Sequence, residues 1–193
     1  MEGLSTQALS LGATAAVIIP AHIVVVEDRF AALCAAPHRC PSYGLTPGCP
    51  PHAMHPSLFR QQVETYQRIL VFKVDAPVAD LMGEKRIAIA RTIHHIAATV
   101  ERVARSRGLA RAFGLAAGSC KELFCAKEES CVVLNKQQPC LHPDIARPSI
   151  SAVGVDFAAL ADGVGWPFDK INPDQAANGE PDMGLMAGLV LLD

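Results

Sequence analysis

The chain has 193 residues, of which half are apolar, with 17 basic and 19 acidic side chains and a formal net charge of -2. A chain of this size and composition can bury a core without disulfides, and it has no block of Lys and Arg that would form a phosphate-binding stripe. We therefore expect one globular domain over residues 1–193 and no nucleic-acid partner.

The longest apolar run covers residues 11–26 and is interrupted by Pro20 and His22. It is shorter than the ~20 residues that a membrane-spanning helix requires. Ahead of it, residues 1–10 carry only Glu2 as a charged side chain, whereas a secretory signal needs basic residues in this position. We expect a cytoplasmic protein that does not enter a membrane.

Apolar periodicity predicts alternating strands and helices along the rest of the chain. In chain order these are strands at Ala15–Pro20 and His22–Val26, a helix from Pro56 to about Gln67, a strand at Ile69–Val74, a long helix at Leu81–Arg107 capped by Asp80, a strand at Leu109–Ala117, a helix within Ala152–Gly163, a polar loop at Asn172–Met183 and a strand at Gly184–Leu192. The strand, long helix and strand in the middle resemble a βαβ unit, so we predict an α+β fold with a mixed sheet.

Seven cysteines lie in two short segments of the chain. Cytosolic thiols are kept reduced, so clustered cysteines there are more often metal ligands or catalytic groups than disulfides. The odd number of thiols agrees with this interpretation. We expect both segments to form loops at neighbouring strand ends.

The second segment reads GSCKELFCAKEESCVVLNKQQPCLHP. Its thiols are Cys120, Cys125, Cys131 and Cys140, with four, five and eight residues between successive cysteines. Structural zinc sites usually pair ligands about two to four residues apart, and the chain has no Cys-x-x-Cys. Iron-sulfur clusters also use four thiolates and tolerate more varied spacing, because the cluster is wider than one ion. The spacing favours an iron-sulfur (4Fe-4S) cluster, with zinc as the alternative.

The first segment reads CAAPHRCPSYGLTPGCPPHAMHP, and six prolines and two glycines between residues 34 and 56 predict an irregular loop. Its thiols are Cys34, Cys40 and Cys49. Three thiolates leave one coordination position open, and His52 is the favoured fourth ligand because Cys49-x-x-His52 has a spacing that zinc accepts. His38 and His55 are further candidates. If no histidine binds, an open iron is available to a substrate.

Other polar residues near the segments have ordinary structural interpretations. His94 and His95 point about 100° apart on the long helix, so we expect them to be structural or solvated rather than ligands of one ion. His142 is interpreted as a cap of its turn. Lys121 and Arg147 can offset thiolate charge or lie on the surface, and we assign neither to the site.

The segments CPSYGLTPGCPPHAMHPSLF and GSCKELFCAKEESCVVL...CLHPDIARPSISAVGVD resemble the predicted metal-binding proteins grouped as domain of unknown function 2284. The likeness runs from about residue 34 to the final GLVLLD. It implies metal binding by all seven cysteines, in the order Cys34, Cys40, Cys49, Cys120, Cys125, Cys131 and Cys140, and no established reaction. Leu141 stands where a basic residue is expected, which bears on the charge balance of the second segment. We interpret residues 1–193 as a single cysteine-rich metal-binding domain.

Three functions fit these residues. The favoured one is electron transfer by a 4Fe-4S cluster, with a redox partner protein or a small molecule as partner. The second is a metalloenzyme with an open metal position at the first segment; the sequence has no Ser-His-Asp set, phosphate loop or dinucleotide fingerprint, and no catalytic residue is assigned. The third is an interaction domain whose loops are stabilised by zinc.

Overall fold

The structure, a computed structural model, describes residues 3–168 and 182–193. Its strands are β1 (Ala15–Pro20), β2 (Arg68–Pro77), β3 (Phe113–Leu115) and β4 (Met183–Leu192). The α-helices within these residues are α1 (Leu4–Ser10), α2 (Asp28–Ala32), α3 (Pro56–Glu64), α4 (Val78–Met82), α5 (Arg86–Ser106), α6 (Cys120–Phe124), α7 (Val132–Asn135) and α8 (Phe157–Gly163). The predicted α+β class is confirmed.

The four strands form one sheet in the order β1-β2-β4-β3, and every hydrogen-bonded pair in it is antiparallel. The prediction of a mixed sheet is therefore wrong for the described strands. β2 and β3 do run in the same direction on either side of α5, as a βαβ unit requires. However, β4 lies between them: Leu191 pairs with Ile69 of β2 on one side and with Phe113 of β3 on the other.

The sheet separates two apolar layers, and the central strand β4 contributes side chains to both. Alternate residues of β4 face opposite layers, with Leu189 and Leu191 in one cluster and Val190 and Leu192 in the other. The first cluster lies against α3 and α8, and the second lies against α1 and α5. A strand that is buried on both faces has to be apolar throughout, as the sequence of β4 is.

The predicted strand at His22–Val26 is wrong. Ala21–Ile23 form one turn of 3₁₀ helix instead, and Val26 makes an isolated bridge with Val155. The chain leaves the sheet at Pro20, which ends β1 and lacks the N–H group that a ladder needs. The other strands, β1, β2 and β4, and the helix that begins at Pro56 confirm their predictions.

The predicted helix at Leu81–Arg107 is divided into α4 and α5. The break lies at Gly83, whose backbone is extended, with φ -100° and ψ -161°. Asp80, predicted as the N-cap, lies inside α4 and forms an ion pair with Lys85 at 3.0 Å. The polar loop predicted at Asn172–Met183 falls outside the described residues except for its last two.

The predicted strand at Leu109–Ala117 is reduced to β3, because a turn closed by Ala112 N–H and Leu109 O at 3.0 Å precedes it. Past β3, Ala116 donates to Pro148 O at 2.8 Å and accepts from Ile150 N–H at 2.9 Å. This bridge places residues 148–150 beside the start of the second cysteine segment. No helix of the described residues is long and apolar enough to cross a membrane.

Candidate metal centre

The second cysteine segment begins where β3 leaves the sheet. Gly118 has a left-handed φ of 82°, which turns the chain, and Cys120 is then the first residue of α6. Cys125 caps the C-terminus of α6, and Cys131 caps the N-terminus of α7. Two short helices thus position three of the four thiols, and Cys140 follows in irregular chain.

Charged side chains fix the backbone of this segment. The Lys121 ammonium donates to Cys125 O and to Glu128 O, both at 2.6 Å. The Arg91 guanidinium donates twice to Leu123 O, at 2.9 and 2.7 Å, and so ties α6 to α5. The bonds to Leu123 O and Cys125 O satisfy carbonyls at the end of α6, where intrahelical partners are missing.

The four thiols of the second segment line one cavity of about 350 Å³. Its wall is mainly apolar and includes residues from both cysteine segments. The lining of the cavity includes Thr46, Pro47, Gly48, Cys120, Phe124, Cys125, Cys131, Val132, Cys140, His142 and Arg147. All four cysteines are half-buried, so their sulfurs are shielded from bulk water yet reachable from the cavity.

Burial raises the pKa of the Cys120 thiol to about 11, and the nearby thiols of Cys49, Cys140 and Cys125 act in the same direction. The pKa of Cys125 is also raised, by burial and then by Cys140 and Cys131. At neutral pH these thiols retain their protons, and a bound metal has to displace them.

One hydrogen-bond donor reaches a sulfur of this segment: the backbone N–H of His142 donates to Cys140 Sγ at 3.4 Å. Hydrogen bonds to ligand sulfurs are one of the factors that set the reduction potential of an iron-sulfur cluster. Four thiols that line one apolar cavity, one of them with such a donor, suit a metal group that binds through thiolates.

The first cysteine segment is a series of tight turns. Cys40 N–H donates to Cys34 O at 3.0 Å, and His52 N–H donates to Cys49 O, also at 3.0 Å. Cys49 is buried, whereas Cys34 and Cys40 are half-buried. Burial raises the pKa of Cys34, and the thiols of Cys40 and Cys49 raise it further.

The histidines of the first segment have different surroundings. His55 is the N-cap of α3: its Nδ1 accepts the Ser57 N–H at 3.2 Å and lies 2.8 Å from the Ser57 hydroxyl. His55 therefore has a structural role. His38 and His52 are exposed side chains, and the choice of His52 as fourth ligand stays a prediction.

The first cysteine segment contacts the chain that follows the second. Ser149 N–H donates to Gly48 O at 3.3 Å, and a Cβ on Gly48 would stand only 3.0 Å from Pro148 Cα. Cys49 and Cys120 are close enough for one thiol to affect the pKa of the other. The first segment also contributes Thr46, Pro47 and Gly48 to the wall of the cavity that the thiols of the second segment line.

Within residues 3–168 and 182–193, no three His, Cys, Asp or Glu side chains are arranged to hold a metal ion as they stand. The assignment of individual ligands, from Cys34 to Cys140, therefore stays a prediction. What the structure provides is a common cavity for the four thiols of the second segment, with part of its wall contributed by the first segment.

A buried polar network supports the chain that follows Cys140. Arg147 pairs with Glu101 at 2.8 Å, and its backbone N–H donates to His94 Nδ1 at 3.1 Å. Glu101 Oε2 also accepts the Gly114 N–H of β3 at 2.7 Å.

Sequence analysis did not identify Glu101 or Thr46 as residues near the site. The T-P-G order around Thr46 is typical of a turn, but nothing local indicates that Thr46 lines the same cavity as Cys120.

A family described as predicted metal-binding protein (DUF2284) matches residues 17–192, a range that contains all seven cysteines and runs from β1 to β4. No curated protein and no solved structure matches the chain.

Proposed function

The chain belongs to this family of predicted metal-binding proteins, and from that premise we propose that it carries a redox-active 4Fe-4S cluster for electron transfer. The proposed ligands are Cys120, Cys125, Cys131 and Cys140. The observation that carries the proposal is that these four thiols, presented by two helices and the chain after them, line one cavity. When bound, such a cluster exchanges single electrons.

The protein's own residues have separate roles around this centre. Val132 and Phe124 contribute apolar wall, which limits water at the sulfurs. The His142 N–H disperses negative charge on Cys140. Lys121 contributes a positive charge that favours the thiolate of Cys125. Together these groups favour thiolates over thiols once metal is present, even though burial alone favours the protonated form.

A metalloenzyme is the second candidate, because the first segment has three neighbouring thiols next to the same site. Cys34, Cys40 and Cys49 leave one position of a four-coordinate metal open. Thr46, Pro47 and Gly48 of the first segment line the cavity of the four thiols, so a reaction at the first segment would take place beside the proposed cluster. A redox partner protein or small molecule is the expected partner in either case.

Metal and sulfide analysis of protein purified without air tests the proposal. We expect about four iron and four acid-labile sulfide per chain for one cluster, and a brown colour. More iron and sulfide than that indicates a second centre at the first segment. Colourless protein with stoichiometric zinc and no sulfide contradicts the proposal and favours a zinc-stabilised interaction domain.

A further inference from the structure

Glu101 of α5 is a buried acidic side chain that binds two distant parts of the chain at once. Its side chain is 6% exposed. Its Oε2 accepts the Gly114 N–H at 2.7 Å and the Arg147 Nε–H at 2.8 Å, and its Oε1 accepts an Nη2–H of Arg147 at 3.2 Å. Arg105, one turn along the helix, also pairs with Oε1 at 3.2 Å. A buried carboxylate needs such partners, because an unpaired charge in this environment is costly.

The two distant partners of Glu101 flank the second cysteine segment. Gly114 belongs to β3 and precedes Cys120 by six residues, and Arg147 follows Cys140 by seven. One carboxylate therefore joins the chain that enters the segment to the chain that leaves it. A segment whose ends are already joined loses less conformational entropy when its first and last thiols bind one metal group.

The approach of β3 to this carboxylate is close. A Cβ on Gly114 would stand 3.0 Å from Glu101 Oε2 and 3.1 Å from Ala97 O, so the strand lies directly against α5 at this point. A glycine allows the backbone to come this near. The chain that leads to Cys120 is thus held against the helix.

Arg147 extends the contact to the chain that follows Cys140. Its Nη1 donates to Pro143 O at 3.0 Å and to Ala146 O at 2.7 Å. The guanidinium thus binds the carboxylate of Glu101 and two backbone carbonyls at the same time. Residues 136–147 form no helix or strand, so side-chain bonds hold this part of the chain in place of a backbone ladder. Arg147 also lines the cavity of the four thiols.

We propose that Glu101 is a positioning residue of the metal centre: by binding Gly114 and Arg147 together, its carboxylate fixes the two ends of the second cysteine segment and so holds Cys120 and Cys140 in the arrangement that binds metal. This inference rests on metal binding by the four cysteines, which is part of the proposed function. Buried ion pairs often add little net stability, but they can fix one arrangement of the chain. Residues that orient the ligands of a metal typically change its affinity by about 10- to 100-fold when they are replaced.

Glu101→Gln tests the inference, because it keeps the shape of the side chain and one acceptor oxygen but removes the charge that Arg147 faces. Asp75→Asn is the matched control. Asp75 pairs with Lys73 at 2.8 Å on β2, and the Lys73 side chain is 11% exposed against 12% for Arg147, so both variants deprive a similarly buried cation of its carboxylate. The measurements are the affinity of metal-free protein for Zn²⁺, in competition with a chelator, and the midpoint potential of the reconstituted iron-sulfur centre.

We expect Glu101→Gln to bind Zn²⁺ on the order of 10-fold more weakly, because Cys120 and Cys140 are no longer held before metal binds, and Asp75→Asn to match the wild type. The midpoint potential of Glu101→Gln should move to more positive values, because the uncompensated charge of Arg147 at the cavity wall stabilises the more negative reduced centre. A purely structural role of Glu101 would leave the potential unchanged. If Glu101→Gln does not fold, Arg147→Lys, which keeps the charge but has fewer donors, should show the same loss of affinity.

The outcomes separate this inference from the proposed function. A Zn²⁺ affinity of Glu101→Gln equal to that of the wild type, or an equal loss of affinity in Asp75→Asn, overturns the inference alone. Wild-type protein that binds Zn²⁺ at the four cysteines but forms no iron-sulfur centre overturns the proposed cluster, and weaker Zn²⁺ binding by Glu101→Gln alone then still supports the inference. Wild-type protein that binds neither Zn²⁺ nor iron there overturns both.

Discussion

His94 lies on α5, and its imidazole is fully buried against the chain that follows Cys140. Burial lowers its pKa from 6.5 to about 4, and the charge of Arg147 acts in the same direction. Its ring meets Phe124 edge-on at 5.3 Å, so it packs against the wall of the cavity. The sequence-based expectation of a structural histidine agrees with this environment.

His94 makes the folded protein sensitive to acid. The unfolded chain takes up a proton at this residue near pH 6.5, whereas the folded chain does so only near pH 4. Stability therefore falls as the pH decreases through this window, by up to about 3 kcal/mol. Urea unfolding of metal-free protein from pH 7 to pH 4 measures the effect, and His94→Asn should show a shallower loss. An equally steep loss in His94→Asn would show that another group is responsible.

The element that presents Cys120 is the turn between β3 and α6, and it depends on Gly118. The left-handed φ of 82° strains any other residue type, although a Cβ there would meet nothing closer than 3.9 Å. The sequence pattern ended the predicted strand at Ala117, just before this glycine, whereas β3 ends at Leu115. It gave no indication of how short β3 is, because residues 116 and 148–150 pair with each other instead of extending the sheet.

Replacing Gly118 by Ala should therefore cost about 1–2 kcal/mol in backbone strain and displace Cys120 from its neighbours. Gly108→Ala is the matched control, because Gly108 also has a left-handed φ, 94°, and a Cβ there meets nothing within 4 Å. Both variants should lose similar stability in urea, and only Gly118→Ala should also lose metal to a chelator faster. Equal metal loss from the two variants would contradict a specific role for this turn.

At the scale of the whole molecule, local sequence patterns predicted elements better than their arrangement. The apolar runs of β1 and β2 and the proline that begins α3 are local features, and all were located from the sequence. The insertion of β4 between β2 and β3 depends on pairing between residues more than a hundred positions apart, such as Ile69 with Leu191, and no local pattern records it.

The same distinction applies to the site. Thiols are conspicuous in a sequence, so the cysteines that line the cavity could be predicted from spacing and family resemblance. The contact between Gly48 and Pro148, and the position of Thr46 in the same cavity wall as Cys120, come from packing between distant segments. Such contacts decide how the thiols are held, and only the fold reveals them.

The most direct test of the four-thiolate centre is the metal content of Cys125→Ser, prepared without air beside the wild type and Cys34→Ser. Cys125 belongs to the second segment and Cys34 to the first, and both thiols are half-buried, so the two variants make the same chemical change at matched positions. We expect Cys125→Ser to lose most of the metal and sulfide of the centre, and Cys34→Ser to retain the share bound by the second segment. Full retention of metal and sulfide by Cys125→Ser would contradict the account.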